Sequence, residues 1–164
     1  MGAMDKKIRV SIADQSLELL DVTGMLERHY RVSTAANGAG EANGSYCTPR
    51  GAHLIRAKIG ADQAANTVFV RRRPTGEIYT PDLGAQFPQR DWILTRILWL
   101  SGCEPGFNRL GDCDTMRRFI YIHGSPDEVP MGAPGSHGCI RMRNADVIDL
   151  FERVAVGTPV EIEG

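Results

Sequence analysis

The 164-residue sequence lacks the features that mark several special classes of protein. It has no apolar run close to the roughly 18 residues that a membrane-spanning helix needs. Neither charge sign dominates, because 19 Lys and Arg stand against 20 Asp and Glu, whereas a nucleic-acid-binding protein should be clearly basic. Four cysteines are too few for a disulfide-dense secreted module. We therefore expect a globular protein whose partners include neither nucleic acid nor a membrane.

The start of the chain carries no recognisable export signal. Residues 1–3 are interpreted as a cloning remnant and Met4 as the native start, and the chain then enters the alternating segment Ile8–Ile12. We expect a cytoplasmic protein; a periplasmic or cell-wall protein is the alternative if a leader precedes this sequence in the natural protein. With no linker or internal repeat, residues 4–164 are expected to form a single domain.

Short segments rich in β-branched and aromatic residues predict a mainly β protein of sandwich or barrel type. Gly, Pro, Asn or Asp separates these segments. The predicted strands are Ile8–Ile12, Ser16–Leu20, Tyr30–Ser33, His53–Ile59, Val68–Arg71, Phe119–His123 and Thr158–Ile162. The run Arg71–Arg73 before Pro74 is interpreted as the solvated end of a strand that enters a turn.

Two segments have the apolar spacing of a helix. Residues 90–101 place Ile and Leu side chains at helical offsets and precede Gly102, which favours a helix stop. Residues 144–156 begin at Asn144, a favourable N-cap, and Gly157 ends them. The sequence therefore predicts a β-sandwich with two helices.

Two long loops, 102–118 and 124–138, are rich in Gly and Pro. Loops of this length in a compact domain are often functional. The segment 81–118 is a candidate lid over an active site. The alternative is that its Trp92 and Trp99 only pack the predicted helix onto the sheet.

The most distinctive segment is Ser136–Arg141, which reads Ser-His-Gly-Cys-Ile-Arg. A cysteine becomes a nucleophile when a neighbouring imidazole takes its proton. No histidine follows Cys139, so the base must lie upstream. His123, at the end of an alternating strand, is a better candidate than His137, which faces the same way as Cys139 only if the segment is extended. The alternative is a buried structural cysteine and a hydrogen-bonded structural histidine.

The remaining cysteines and histidines are expected to be structural. They are Cys47, Cys103, Cys113, His29 and His53. Cys103 and Cys113 could pair if oxidised, but their spacing does not show it.

A metal site and a cofactor site are the alternatives to the thiol mechanism. His123, His137 and Cys139, with Cys113, offer ligand types that suit zinc, but their spacing is irregular and no Cys-x-x-Cys accompanies them. The segment 38–44 departs from the glycine spacing of a dinucleotide-binding loop. We expect neither a metal nor a cofactor.

The pair His123-Gly124 followed by Ser136–Met142 resembles the signature of the L,D-transpeptidase catalytic domain, a family of bacterial cysteine enzymes that act on peptidoglycan. Thr48–Gly51 is similar to a turn of that family, and Gly157–Ile162 is similar to its final strand. The resemblance implies a mostly β, sandwich-like sheet that carries the catalytic loop. It also implies Cys139 as nucleophile and His123 as general base and acid. The residue beside the histidine orients its ring in the family, and here Gly124 could do so only through its carbonyl.

The resemblance extends to the surroundings of the nucleophile. The backbone N–H groups of His137, Gly138 and Cys139 would form the oxyanion hole. Arg141 would hold a substrate carboxylate, which suits its planar fork of donors, and Ser136 would also contact substrate.

The implied substrate is the tetrapeptide stem of peptidoglycan or of soluble muropeptides. Cys139 would attack the carbonyl of the third residue (meso-diaminopimelate or lysine) and release terminal D-alanine. Given the expected compartment, an L,D-carboxypeptidase of muropeptide recycling is the leading hypothesis. An L,D-transpeptidase that forms 3→3 cross-links and a non-catalytic peptidoglycan- or zinc-binding module are the alternatives. Carbapenem-type β-lactams are the implied inhibitors.

Overall fold

The computed structural model describes residues 6–164. Residues 1–3, interpreted as a cloning remnant, and Met4 lie outside the described residues. Within that range the chain forms ten β-strands and two α-helices, which confirms the mainly β prediction. The strands are β1 (Lys7–Ser11), β2 (Ser16–Leu20), β3 (Leu26–Arg31), β4 (Gly51–Ile59), β5 (Thr67–Val70), β6 (Arg73–Ile78), β7 (Ile93–Gly102), β8 (Tyr121–Ser125), β9 (Ile140–Arg143) and β10 (Pro159–Glu163). The helices are α1 (Pro81–Gln86) and α2 (Asn144–Arg153).

The strands of residues 6–164 belong to one curled sheet. Its order is β3-β2-β1-β10-β4-β7-β5-β6, and β8 and then β9 continue from β7. The pairs β1–β10 and β8–β9 are parallel, and the other neighbours are antiparallel. The curl brings β1 and β2 over the same apolar core as β8 and β9, which makes the sheet sandwich-like.

The main core lies between these strands and α2. Leu17 of β2, Ile122 of β8 and Ile140 of β9 are fully buried there, together with Leu150 and Phe151 on the inner face of α2. Burial of one such side chain contributes about 1.5–3 kcal/mol. The core therefore fixes β8, which contains the upstream histidine, and β9, which directly follows the Ser-His-Gly-Cys segment.

The helix predicted at 90–101 is wrong, because Ile93–Gly102 form the ten-residue strand β7. This strand is hydrogen-bonded to β4, β5 and β8, and most of its side chains are buried. A strand covered on both faces shows a continuous apolar run instead of alternation, and such a run also fits helical offsets. Residues 93–102 are therefore part of the sheet and not of a lid.

The loop after β7, also part of the predicted lid, is anchored to β4. The side-chain amide of Asn108 donates to the carbonyls of Arg50 and Ala52, at 3.0 Å each. His53 Nε2 lies 3.0 Å from Thr115 Oγ1, so buried His53 is structural, as expected. These bonds fix the chain just before it reaches the cleft described below.

The helix predicted at 144–156 is confirmed, although it ends at Arg153. Arg143, not Asn144, holds the N-cap position, and the Asn144 side chain is buried inside the protein. The short helix α1 was not predicted. It begins after Thr80, whose hydroxyl accepts the Leu83 N–H at 3.1 Å. No helix within residues 6–164 is long and apolar enough to cross a membrane.

Candidate active site

The two principal candidates, His123 and Cys139, lie on neighbouring parallel strands. His123 is in β8, Cys139 directly precedes β9, and the register pairs Ile122 with Ile140. Alternate residues of a strand point to the same face. Tyr121, His123 and Cys139 therefore face one side of the sheet, while Ile122 and Ile140 point into the main core on the other side.

Cys139 is partly exposed and lines an open cleft of about 350 Å³. Arg71 and Arg72, the two residues between β5 and β6, form one wall of this cleft, and Asp91, which precedes β7, lies on it too. Residues 118–121 line the cleft as well. A larger depression of about 470 Å³ lies on β1–β3, and its lining includes neither Cys139 nor His123. The smaller cleft is therefore the one that Cys139 lines.

The thiol of Cys139 is held between two backbone groups. The Tyr121 N–H donates to Sγ at 3.3 Å, and Sγ donates to the Phe119 carbonyl at 3.3 Å. Burial raises the pKa of Cys139 to about 12, and Asp91 adds to this effect, whereas the Tyr121 N–H and two arginines oppose it. The thiol is therefore protonated at neutral pH.

His123 is 1% exposed and has a defined tautomer. Its Nδ1 lies 2.6 Å from the Gly124 carbonyl, and a carbonyl can only accept, so Nδ1 carries the proton. Nε2 is then an acceptor, and it is the buried side-chain nitrogen within residues 6–164 that has no partner. Burial lowers the pKa of His123, although Asp91 opposes this, and the ring is neutral at pH 7.

Cys139 and His123 share a face of the sheet, but no hydrogen bond joins Sγ and Nε2 in this structure. Sγ is turned instead toward the Phe119 carbonyl. Catalytic hydrogen bonds are often long or misaligned until substrate binds. The arrangement thus offers a neutral thiol and a neutral base whose accepting nitrogen is still free.

Gly124 is packed so tightly that only glycine fits. A Cβ there would lie 2.5 Å from Asn144 Oδ1 and 2.7 Å from the Leu94 carbonyl. Thr95, in a bulge of β7, has φ of +76°, and its hydroxyl donates to the same Asn144 oxygen at 2.6 Å. This buried contact supports the peptide whose carbonyl orients His123.

Ser136 shapes the turn before the cysteine. Its hydroxyl donates to the Cys139 carbonyl at 2.5 Å and accepts the Gly138 N–H at 3.2 Å, and the side chain is 2% exposed. Thr48 fixes the same turn by donating to the Gly138 carbonyl at 2.9 Å. Gly138 has φ of +129°, a conformation that favours glycine. The serine hydroxyl is thus engaged inside the loop and not presented to a substrate.

The three backbone N–H groups expected to form the oxyanion hole are not equivalent. That of Gly138 already donates to Ser136 Oγ. Within residues 6–164, no hydrogen bond occupies the N–H groups of His137 and Cys139. These two donors are the ones that remain available beside Sγ.

Arg141 is also engaged within the protein. Its guanidinium donates to the Gly135 carbonyl at 3.1 Å and to Asp91 at 3.3 Å. Asp91 in turn lies 3.9 Å from Nδ1 of His137. Arg141 therefore connects the loop before Cys139 to the segment before β7, and it does not line the cleft at Cys139.

Residues 5–162 match the family model of the L,D-transpeptidase catalytic domain, known as YkuD. The chain belongs to this family. Its sequence is 48% identical over 126 residues to the Escherichia coli K12 protein named "Probable L,D-transpeptidase YbiS". The match covers 71% of this chain and 40% of that relative, so the chain spans well under half of the relative's length.

Solved structures of the L,D-transpeptidase family share the fold. L,D-transpeptidase 3 from Mycobacterium tuberculosis superposes with a TM-score of 0.61 at 16% identity, over 98% of this chain and 61% of that one. The structure of LdtMt1 in complex with imipenem gives a TM-score of 0.55 at 18% identity, over 96% and 58% of the two chains. At this identity the likeness shows the fold alone.

The L,D-transpeptidase fold brings residues to the cleft that sequence reasoning missed. Tyr121 contributes the N–H that contacts Sγ, and its position two residues before His123 in a predicted strand was a usable signal. The guanidinium of Arg72 lies 4.6 Å from the ring centre of Trp99 and 4.9 Å from that of Phe119, and it donates to the Tyr121 hydroxyl at 2.9 Å. Nothing in the linear sequence placed Arg72 or Asp91 near Cys139.

The zinc site considered from the sequence is not assembled within residues 6–164. Within residues 6–164, no group of three or more His, Cys, Asp or Glu side chains is arranged to hold a metal ion. The four cysteines of that range are free.

Proposed function

We propose that this chain is a cysteine acyl-transfer enzyme that opens the bond between the third residue and the terminal D-alanine of a peptidoglycan tetrapeptide stem. One observation carries the proposal: an unpartnered, buried imidazole nitrogen lies on the same sheet face as a thiol in an open cleft. Membership of the L,D-transpeptidase family supports the substrate class.

Acylation begins when Cys139 rotates about its Cα–Cβ bond, releases the Phe119 carbonyl and turns Sγ toward Nε2 of His123. Nε2 takes the thiol proton as Sγ attacks the carbonyl carbon of the third residue. The N–H groups of His137 and Cys139 stabilise the oxyanion, an effect worth about 2.7–4 kcal/mol per donor in measured cases. The imidazolium then protonates the leaving amine, so that D-alanine departs and a thioester remains on Cys139.

Deacylation needs a second nucleophile, and the same residues serve an amine or water. Attack by the side-chain amine of another stem gives a 3→3 cross-link, while attack by water gives a tripeptide. Two further depressions, of about 260 and 450 Å³, adjoin the cleft across His137, and both contain Tyr46. This space on the far side of His137 favours transfer to a second peptide over the hydrolysis expected from the sequence.

A disaccharide tetrapeptide incubated with the purified protein, followed by mass spectrometry, tests the proposal. We expect loss of one alanine and appearance of a joined product, both abolished in Cys139→Ala and retained in Cys103→Ala, which removes an exposed thiol elsewhere. Loss of alanine with a free tripeptide as the sole product would assign an L,D-carboxypeptidase. An unchanged substrate would reject catalysis and leave a non-catalytic peptidoglycan-binding module.

Trapping by a β-lactam gives an independent readout of the nucleophile. Structures of L,D-transpeptidases with imipenem and with a faropenem-derived adduct support the expectation that a carbapenem acylates this chain too. Intact-mass analysis should show one adduct, mapped to Cys139 by peptide digestion. An adduct on another cysteine, or none, would count against the thiol mechanism.

A further inference from the structure

The connection between β5 and β6 is a two-residue turn made of Arg71 and Arg72. Both have positive φ, 50° and 65°. Two-residue hairpin turns with both residues in this region strongly favour Asn-Gly, because a side chain is strained there. Backbone strain of this kind persists where the surroundings impose it, and it is concentrated at functional sites. Here both strained residues line the Cys139 cleft.

Arg72 is held rigidly but is not neutralised. Its guanidinium contacts the faces of Trp99 and Phe119 and uses one donor on the Tyr121 hydroxyl. Within residues 6–164 no carboxylate pairs with Arg72. A guanidinium has five N–H donors in a planar fork that matches a carboxylate. Arg72 therefore retains both charge and donors for an anion in the cleft.

Two other arginines near the cysteine, Arg118 and Arg141, are already committed, and Arg71 is exposed on the same turn. Arg141 is paired with Asp91. Arg118 donates to the Cys47 carbonyl at 2.6 Å and also reaches the Gly40 carbonyl and Ser45 Oγ. The carboxylate role that the family resemblance implied for Arg141 thus fits Arg72 better, because Arg72 lines the cleft and Arg141 does not.

Tyr121 links Arg72 to the reaction centre. Its backbone N–H contacts Cys139 Sγ, and its hydroxyl, at the far end of the same residue, accepts from Arg72. The guanidinium and the sulfur are therefore joined through a single residue, with one hydrogen bond at each end. An attacked carbonyl is likewise separated by a single leaving residue from that residue's carboxylate.

We propose that Arg72 binds the free C-terminal carboxylate of the leaving D-alanine and thereby selects stems that end one residue after the scissile bond. This assignment rests on the proposed function. It makes Arg72 a specificity residue for the donor peptide, while the chemistry stays with Cys139 and His123.

The test compares two donor peptides that differ only at the C-terminus, a tetrapeptide acid and its carboxamide. For each, kcat/KM is measured from release of alanine or alaninamide. We expect the wild-type protein to prefer the acid by about ten- to a hundredfold, the range for a hydrogen bond to a charged group. Arg72→Gln should slow the acid far more than the amide, so that the preference nearly disappears.

Arg73→Gln is the matched control, because Arg73 is the exposed next residue of the same hairpin and lies outside the cleft lining. It should keep the wild-type preference. Tyr121→Phe removes the hydroxyl that holds Arg72 and should reduce the preference in part. A cooperative thermal unfolding transition would show that Arg72→Gln is folded. If it has none, the acid-to-amide ratios of the wild-type protein and of Arg72→Lys still test the assignment.

Several results would overturn the assignment. Equal rates on acid and amide by the wild-type protein would do so, as would an equal loss on both in Arg72→Gln. If amidation of the third residue's own carboxylate lowers kcat/KM and amidation of the C-terminus does not, Arg72 contacts the part of the stem that stays on Cys139 and not the leaving D-alanine. No release from either peptide by the wild-type protein would reject the proposed function and this assignment together.

Discussion

The candidate nucleophile and base of this domain are both uncharged at rest. Burial lowers the pKa of His123 and raises that of Cys139 to about 12, so neither group favours its ionised form. A preformed thiolate–imidazolium pair is therefore not the resting state. The proton must move to Nε2 as Sγ attacks, which makes the rate depend on how much neutral imidazole is present.

Activity should accordingly persist below the ordinary histidine pKa. Protonation of His123 removes the base, and because burial lowers its pKa, this loss should begin below about pH 6.5, the unperturbed value. The rate constant for acylation by imipenem, measured by intact mass from about pH 5 to 8, should show an acid limb with an apparent pKa under 6.5. An acid limb centred above that value would contradict the neutral-pair description.

Removal of the imidazole should be far more damaging than removal of another histidine. His123→Ala should lower kcat/KM on the tetrapeptide by about 10²–10⁴-fold, the usual contribution of a general base. His29→Ala is the control, since His29 is an exposed residue of β3 outside the Cys139 cleft. A loss below about tenfold in His123→Ala would show that another group takes the thiol proton.

At the scale of elements, the sequence predicted α2 and most outer strands, but it misassigned β7 as a helix, missed β6 and β9, and placed β3 several residues too late. Short outer strands such as β2 alternate, and their period is readable. β7 is covered on both sides, so its apolar residues follow one another without the alternation that distinguishes a strand. The N-cap at Asn144 was missed for a related reason, because that side chain serves a buried contact with Thr95.

The residues of the candidate site also differ in how well the sequence predicted them. The short motif and its upstream histidine pointed to Cys139 and His123 because they are local in sequence. Arg72 and Asp91 reach the cleft through the β5–β6 turn and the segment before β7, whose positions depend on tertiary contacts. The run Arg71–Arg73 fits a solvated strand end as well as it fits a turn that lines a cleft. The sequence alone therefore could not assign Arg72 to the cleft.

The packing between β7, β8 and α2 predicts that Gly124 cannot be enlarged. Gly124→Ala would press a methyl group against Asn144 Oδ1 and the Leu94 carbonyl, and we expect a loss of about 1–3 kcal/mol in the free energy of unfolding. Urea unfolding measures it. Gly135→Ala is the matched control, because a Cβ there comes no closer than 3.4 Å to Ser33 Oγ and should change stability little.

The C-terminus of α2 depends on a lysine from a distant strand. Lys58 of β4 donates to the carbonyls of Phe151 and Val154, at 2.6 and 2.7 Å, where the helix has no glycine cap. A cation at this end also interacts favourably with the helix dipole. Lys58→Met should therefore lower the free energy of unfolding by about 1–2 kcal/mol. Lys7→Met, at an exposed position of β1, should not; equal losses would argue against a cap.

At the scale of the whole molecule, two buried neutral histidines make stability depend on pH. Burial lowers the pKa of His53 to about 4 and that of His123 in the same direction. A group whose pKa is lower in the folded than in the unfolded state stabilises the fold above its unfolded pKa. That stability is lost as the pH falls from about 6.5 toward the folded pKa.

The free energy of unfolding should consequently fall by roughly 2 kcal/mol between about pH 6.5 and 5 from His53 alone. Urea unfolding at several pH values measures this slope. His53→Gln should be less stable at neutral pH, because the bond to Thr115 is lost, but its stability should vary less with pH. His29→Gln should keep the wild-type slope. An unchanged slope in His53→Gln would assign the acid sensitivity to other groups.

The parallel pairing of β1 with β10 has a consequence for synthesis of the chain. Residues 7–11 leave the ribosome well before residues 159–163, which pair with one edge of that strand and are made more than a hundred residues later. Until then β1 and β4 both lack the strand that lies between them. The nascent polypeptide therefore exposes two unpaired strand edges in the middle of its sheet. A chaperone that covers such edges would act mainly in that interval.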